Sequence, residues 1–264
     1  MKILDGNELA GFIKERQAHA VRGLRHQPSL LIIRDSDNPV IMKYVKYKVR
    51  YGEDIGIKTI DFPAHGPAEI TTKITKANDD PSISGIIIQL PLTDKSQTDA
   101  LCNLIAPAKD VDGLGEHAHF DSATATAINW LLAGYDIPLS KQKIAIVGRG
   151  KLVGAPLFKM FKNSGYDVEL FHRGSDLTKL KNFDIIISAT GVPGLISDNF
   201  IKPGACLVDA GTASEDGVLK GDLADSVRER TDLAAITPIT GGVGPLTIAA
   251  LFDHVIQSSS DLYA

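Results

Sequence analysis

The sequence predicts an α/β protein of two domains, each built on a parallel sheet. Three observations carry this. Short, unbroken apolar runs such as Leu30-Leu31-Ile32-Ile33 and Ile86-Ile87-Ile88 alternate with amphipathic stretches of helical period. That is the pattern of strands buried on both faces and joined by crossover helices. The alternation halts in a polar stretch at 115–122 and then resumes. A boundary there gives a first domain over 1–121, rejoined by a closing helix at 246–264, and a second over 122–245. A chain of 264 residues is also long for one core and comfortable for two.

The bulk numbers narrow the class. Hydrophobic residues make up 44% and charged residues 23%, as in an ordinary folded protein. The net charge is −4 with no basic block, so nucleic acid is not an expected partner. Cys102 and Cys206 stand far apart in no metal-like spacing, which fits reduced, buried thiols. His117-x-His119 lacks a third ligand type in register, so no metal is expected. No run is long and apolar enough for a bilayer and the first residues lack a signal pattern. A cytoplasmic protein with no membrane partner is expected.

In order, a helix is expected over 5–24, with Asp5 or Asn7 at its start and Gln27-Pro28 breaking it. A strand at 29–33 leads through a polar loop to an amphipathic helix from Pro39 to near Gly56. A strand at 58–62, a helix at 67–77 and a strand at 85–90 follow, then a helix at 96–105. Turn residues fill 107–113. Past the boundary come a helix at 124–133, a strand at 143–147, a glycine turn at 148–150 and a helix at 152–163. Strands at 168–171, 184–188, 206–209 and 233–236 are separated by a helical piece near 177–180 and the loop 191–194. A turn-rich stretch, 237–245, ends in Pro245, suited to the first turn of a closing helix over 246–255. No repeat of fixed period and no low-complexity tract is present.

The strand, glycine turn and helix over 144–160 open a dinucleotide-binding unit. Such a site needs a tight turn, a close backbone approach and a helix N-terminus aimed at phosphate. Gly148-x-Gly150-x-x-x-Gly154 has one residue more than G-x-G-x-x-G, and glycines also serve ordinary turns. After the next strand, an NAD site usually has an acidic residue; this chain has Phe171-His172-Arg173. Arg173, joined by Arg149, suits the 2′-phosphate of NADP. Asp176 lies close enough to keep NAD open, and both arginines also read as solvated surface.

In the first half, Tyr44 and Lys48 are four apart and share a helix face beside Ile41, Val45 and Val49. The pair reads equally as a tuned acid or base and as a lysine snorkelling over a core tyrosine. Gln89 ends a buried strand and Asp112 sits in a turn before Gly113. Ligands in open α/β sheets bind beyond the carboxyl ends of strands, so a cleft between the domains would gather these residues. Taken singly, Gln89 also reads as satisfying backbone groups and Asp112 as a turn former.

Together these residues resemble the bifunctional methylenetetrahydrofolate dehydrogenase/methenyltetrahydrofolate cyclohydrolase family. The resemblance runs over nearly the whole length. It is carried by Tyr44-Val45-x-x-Lys48 with Glu53-x-Ile55-Gly56, by Gly85-Ile86-Ile87-Ile88-Gln89-Leu90-Pro91-Leu92 and by Lys109-Asp110-Val111-Asp112-Gly113. It continues in Val147-Gly148-Arg149-Gly150-Lys151-x-Val153-Gly154-x-Pro156, Ala189-Thr190-Gly191-x-Pro193 and Ile201-Lys202-Pro203-Gly204-Ala205. It closes with Ile236-Thr237-Pro238-x-x-Gly241-Gly242-Val243-Gly244-Pro245-x-Thr247.

The resemblance implies a Rossmann-like NADP domain beside a folate-binding catalytic domain. It implies oxidation of 5,10-methylenetetrahydrofolate by NADP⁺ and hydrolysis of the methenyl product to 10-formyltetrahydrofolate, in one-carbon metabolism and purine biosynthesis. Lys48 matches the catalytic lysine, Tyr44 the tyrosine packed on folate, Gln89 the glutamine beside the lysine and Asp112 the aspartate holding the pterin. Leu90, Pro91 and Pro245 join them in binding substrate. Cofactor contacts are expected at Gly148, Arg149, Gly150, Val153, Gly154, His172, Arg173, Thr190, Gly191, Gly211, Thr212, Gly242 and Gly244. A homodimer formed through the nucleotide domain is also implied.

The chain departs from the family at some walls of the expected site. Ala123-Thr124-Ala125-Thr126-Ala127 stands where the family has Cys-Thr-Pro and Gly, and Thr240 replaces a proline before Gly241. Thr212-Ala213 replaces Ile-Asn, and Pro39-Val40-Ile41-Met42 replaces a serine-bearing loop. Two further readings stay open: a shikimate-type NADP dehydrogenase, and a catalytically silent folate- or NADP-binding protein.

Overall fold

A computed structural model describes residues 1–211, 213–215 and 218–262. The chain divides into two compact units: residues 11–123 with the chain from Ile248 on, and residues 1–10 with 124–247.

The first unit holds β2 (Ser29–Arg34), α2 (Pro39–Ile55), β3 (Lys58–Pro63), α3 (Pro67–Asp79), β4 (Gly85–Ile88) and the short α4 (Thr98–Cys102), numbered after β1 (Lys2–Ile3) and α1 (Gly6–Arg22). Its three strands are parallel in the order β3-β2-β4. Every residue of the central β2 is buried, as its unbroken apolar run requires. Leu31, Ile33, Ile70, Ile74, Ile86, Ile88 and Leu101 form a core on one face. Each such side chain contributes about 1.5–3 kcal/mol relative to exposure. The chain leaves β2 for β3 on one side and returns to β4 on the other. The strand order therefore reverses beside β2, and the carboxyl ends of β2 and β4 flank a topological switch point.

The second unit adds α5 (Ala123–Gly134), β5 (Lys143–Val147), α6 (Gly154–Asn163), β6 (Asp167–Phe171), β7 (Ile185–Ser188), β8 (Cys206–Asp209), the hairpin β9 (Ala213–Glu215) and β10 (Val218–Lys220), α7 (Asp225–Arg228) and β11 (Ala235–Ile236). The last helix, α8 (Val243–Leu262), starts in this unit and runs on into the first. The sheet order is β1-β11-β8-β7-β5-β6, all parallel. The reversal falls between β5 and β7, at the glycine turn.

Several elements differ from the sequence expectation. Residues 1–10 group with the second unit because β1 pairs with β11, Lys2 opposite Ala235. A two-residue strand carries no periodicity to read. The helix expected over 96–105 is a 3₁₀ turn, Lys95–Gln97, followed by the short α4; Asp94 accepts a hydrogen bond from Ser96 N at 3.0 Å and starts the turn. The strand expected over 85–90 stops at Ile88, ahead of the cis Leu90–Pro91 peptide. α8 is longer at both ends than 246–255. It extends past Val255 because Ser258 is buried there and hydrogen-bonded.

Candidate active site

α2 is defined at both ends by its own sequence. Asn38 Oδ1 accepts from Val40 N at 2.9 Å and Pro39 fills the first turn. Gly56, at φ 82°, ends the helix in the left-handed conformation. Ile41, Val45, Gly52 and Ile55 form the buried stripe. Tyr44 and Lys48 flank that stripe, both half-buried.

Lys48 Nζ donates to Gln89 Oε1 at 2.7 Å. Gln89 follows β4 at the switch point and is only 8% exposed. Its own N–H donates to Ile33 O at 2.7 Å and its Nε2 to Leu90 O at 3.1 Å. The amide orientation is thus fixed, with oxygen toward the lysine. A neutral amide orients the amine without restoring a counter-charge. Arg34, the last residue of β2, pairs with Asp37 and with Asp61. The carboxylate of Asp35 accepts from Thr93 N at 3.0 Å, tying the loop after β2 to the loop carrying Leu90 and Pro91.

Asp112 enters from the loop after a parallel bridge between Ile86 and Asp110. The buried Asp110 carboxylate organises that loop: it accepts from Gly113 N (3.0 Å), Leu114 N (3.1 Å) and Gly115 N (2.6 Å). Lys109 Nζ donates to Ala77 O (2.9 Å) and Asp80 O (2.7 Å), closing the C-terminus of α3. Burial lowers the Lys48 pKa, opposed by the Asp112 carboxylate. Burial pushes Asp112 up to about 6, with Lys48 opposing and Asp110 adding to the rise. The result is a lysine shifted toward its neutral form and a carboxylate that titrates within reach of neutral pH. Such a set can pass a proton and bind a polar heterocycle. Lys48 donates to Gln89, the Asp112 carboxylate acts on the same ammonium, and Leu90 and Pro91 adjoin Gln89. Sequence reasoning missed Lys109 and Asp110 as supports. Their signal was a charged pair directly before Val111 that is buried.

In the second unit, Gly148 follows β5 at φ 110°. A Cβ on Gly154 would lie 1.8 Å from Gly148 O, so α6 approaches the turn as only glycine permits. Next to Gly150, in contrast, the space is open. Val153 is the N-cap residue of α6; no side chain caps the helix and its first turn has no carboxylate. A phosphate fits such an end. Arg149, His172 and Arg173 are exposed. Asp176 is engaged otherwise: its Oδ1 accepts from Thr178 N (3.0 Å) and Thr178 Oγ1 (2.6 Å) as the cap of the turn Leu177–Asn182.

Behind the turns at Thr190-Gly191 and Gly211 lie two buried carboxylates that sequence reasoning did not single out. Asp222 accepts from Ser188 Oγ and Thr190 N, both at 2.6 Å. Asp209 accepts from Gly211 N (3.1 Å) and pairs with Arg228 at 2.5 Å. Gly242 is buried and Gly244 exposed, with Pro245 half-buried in the first turn of α8. Gly241 O accepts from Asn7 N at 3.1 Å, so the start of α1 holds this turn. The peptide before Thr240 is trans. Thr212 lies outside the described residues.

Two family profiles match the chain. One, described as the catalytic domain of tetrahydrofolate dehydrogenase/cyclohydrolase, covers residues 4–112, and one for its NAD(P)-binding domain covers 122–262. The bifunctional protein FolD of Lactobacillus helveticus is 35% identical over 97% of this chain and 96% of its own. The crystal structure of the bifunctional enzyme FolD from Campylobacter jejuni superposes with a TM-score of 0.93 at 32% identity, covering 99% of both chains. The Trypanosoma brucei enzyme, solved with NADP cofactor and inhibitor, gives 0.88 at 26% identity over 98% of this chain and 97% of that one.

Proposed function

The chain belongs to the tetrahydrofolate dehydrogenase/cyclohydrolase family, and we infer from that premise what it does. It oxidises 5,10-methylenetetrahydrofolate to the 5,10-methenyl cation with NADP⁺ and hydrolyses the cation to 10-formyltetrahydrofolate. The observation that carries the reading to this chain's own residues is the Lys48–Gln89 hydrogen bond at 2.7 Å, with the Asp112 carboxylate acting on the same ammonium. The family match over both halves sets aside the shikimate-type alternative.

NADP, when bound, supplies the acceptor for the hydride. Oxidation asks mainly for orientation, since no protein group exchanges a proton in that step. Tyr44 offers a ring face on which the pterin packs, and the Asp112 carboxylate accepts from its N–H groups. Leu90 and Pro91 line the same subsite from the loop after β4.

Hydrolysis needs proton handling. Water adds to the one-carbon centre and loses a proton. The bond to N5 then breaks as N5 gains a proton and the hydroxyl becomes the formyl oxygen. One proton is released overall. Lys48, its pKa lowered by burial, takes the proton of the attacking water and returns it to N5. Gln89 holds the amine on that line.

On the cofactor side, the Gly148, Gly150 and Gly154 turn with Val153 receives the pyrophosphate. Arg149, His172 and Arg173 would hold the 2′-phosphate, and Thr190, Gly191, Gly211, Gly242 and Gly244 would line the nicotinamide half. Arg173→Ala is expected to weaken NADP by about tenfold, the scale of one charge-assisted contact, and NAD by less than half as much on a logarithmic scale. Calorimetric titration with both dinucleotides checks this; equal losses would count against the phosphate role.

The pH dependence has a definite sign. Asp112, pushed up to about 6, is a carboxylate above that value and loses its accepting charge below it. The KM for methylenetetrahydrofolate is therefore expected to rise as pH falls through about 6. Asp112→Asn should show a high KM and no such limb; a limb that persists in the variant would reassign it to another group.

The same reading carries a cytoplasmic homodimer. β6 is an edge of the second unit's sheet, which leaves backbone groups for a partner, and light scattering at twice the chain mass is the expected result. No helix among the described residues is long and apolar enough to cross a membrane. The direct test of function is NADPH formation from methylenetetrahydrofolate by the purified chain. A chain inert with that substrate but active on hydroxy acids would refute the reading.

A further inference from the structure

His254, on the second half of α8, is 5% exposed and has no part in the steps above. Its Nδ1 is 2.9 Å from the Val111 carbonyl oxygen. A carbonyl only accepts, so Nδ1 carries the proton and the ring is held in that tautomer. The ring also stacks on Phe120, with centroids 4.7 Å apart and planes inclined by 17°. Four residues on, Ser258 Oγ lies 2.7 Å from Ser84 O and 2.8 Å from Ala108 O. Residues four apart share a helix face, so one face of α8 grips the loop backbone at Ala108 and again at Val111.

The next residue is Asp112. The Val111 carbonyl and the Asp112 N–H belong to one planar peptide unit, so fixing the first fixes the plane from which the Asp112 side chain departs. On its far side, Asp112 O accepts from Ala123 N at 3.1 Å. Both flanking peptides are thus tied down through their backbone atoms. Burial lowers the His254 pKa against the pull of the Val111 carbonyl and of Asp253, Asp121 and Asp110. Burial thus works toward the neutral ring, with which a single Nδ1–H donated to Val111 O is compatible.

We propose that His254 is a positioning residue for folate: its Nδ1–H holds the Val111–Asp112 peptide and so aims the Asp112 carboxylate at the pterin. This rests on the role given to Asp112 above. His254→Leu in the full chain should raise the KM for methylenetetrahydrofolate about tenfold, since small misplacements of a binding group are costly. It should leave kcat and the KM for NADP within about twofold. His254→Asn, whose amide N–H reaches toward the same carbonyl, should recover most of the loss. Should the leucine variant fail to fold, Phe120→Leu, which removes the stacked ring, should show the same selective rise in folate KM.

An unchanged folate KM in a folded variant overturns the proposal. So does a parallel rise in the NADP KM, or an asparagine variant as impaired as the leucine one. A wild-type chain that forms no NADPH from methylenetetrahydrofolate overturns the folate reading and this inference with it. An active wild type with an unaffected His254→Leu overturns this inference alone.

Discussion

Lys48→Met is expected to lower methenyl hydrolysis by at least about 100-fold, the lower end of what a positioned general base contributes. NADP binding should stay within about twofold of wild type. Methionine keeps the length and apolar bulk of the lysine stem, so the stripe around Val45 stays filled. It removes the group assigned to cycle a proton between water and N5. The variant leaves Gln89 Oε1 without its donor, at about 1–3 kcal/mol for a buried acceptor. It also relieves the burial of an ammonium, which works in the opposite direction. The melting temperature should therefore move little, and a lost rate reports on chemistry rather than folding. Methenyl decay at unaltered rate in this variant would remove Lys48 from the mechanism.

Gly154→Ala is expected to do the reverse. The new Cβ would sit 1.8 Å from Gly148 O, well inside contact distance, and backbone atoms are what it meets. α6 must withdraw from the turn, at about 1–3 kcal/mol for an overpacked site. That withdrawal moves the helix N-terminus away from the phosphate position. NADP affinity should fall at least about tenfold, in line with a displaced charge-assisted contact, and NADPH formation should fall with it. Hydrolysis of added methenyltetrahydrofolate needs no dinucleotide and uses residues of the other unit, so it should persist. The two variants separate the two activities in opposite directions. Wild-type NADP affinity in Gly154→Ala would show that the turn is not the phosphate site.

The legible parts of the fold were those whose physics is local. β2 announced itself by Leu30 to Ile33 because a strand buried on both faces must be apolar throughout. α2 was legible from Pro39, its amphipathic period and Gly56. β1 was not, since two residues carry no period and the pairing partner is more than two hundred residues away in sequence. The short hairpin β9 and β10 was missed for the same lack of length. In the site, Lys48, Gln89 and Asp112 could be named from the chain, and Lys48 and Gln89 do meet. What sequence could not give was the support: Asp110 gathering three N–H groups, Lys109 closing α3, and His254 reaching Val111 across 143 positions. Such long-range contacts leave no spacing to read. Asp176 shows the converse. Its position alone kept NAD open, and only the hydrogen bonds to Thr178 reveal it as a cap.

The central claim is that one chain performs both reactions with Lys48 as the proton carrier of the second. A single reaction of purified protein, NADP⁺ and methylenetetrahydrofolate, followed at the absorbances of NADPH and of the methenyl cation, tests it most directly. The expected result is steady NADPH formation with little methenyl accumulating in the wild type, and accumulation or slow decay of methenyl in Lys48→Met. Absence of NADPH in the wild type, or methenyl that decays equally fast in both proteins, would contradict it.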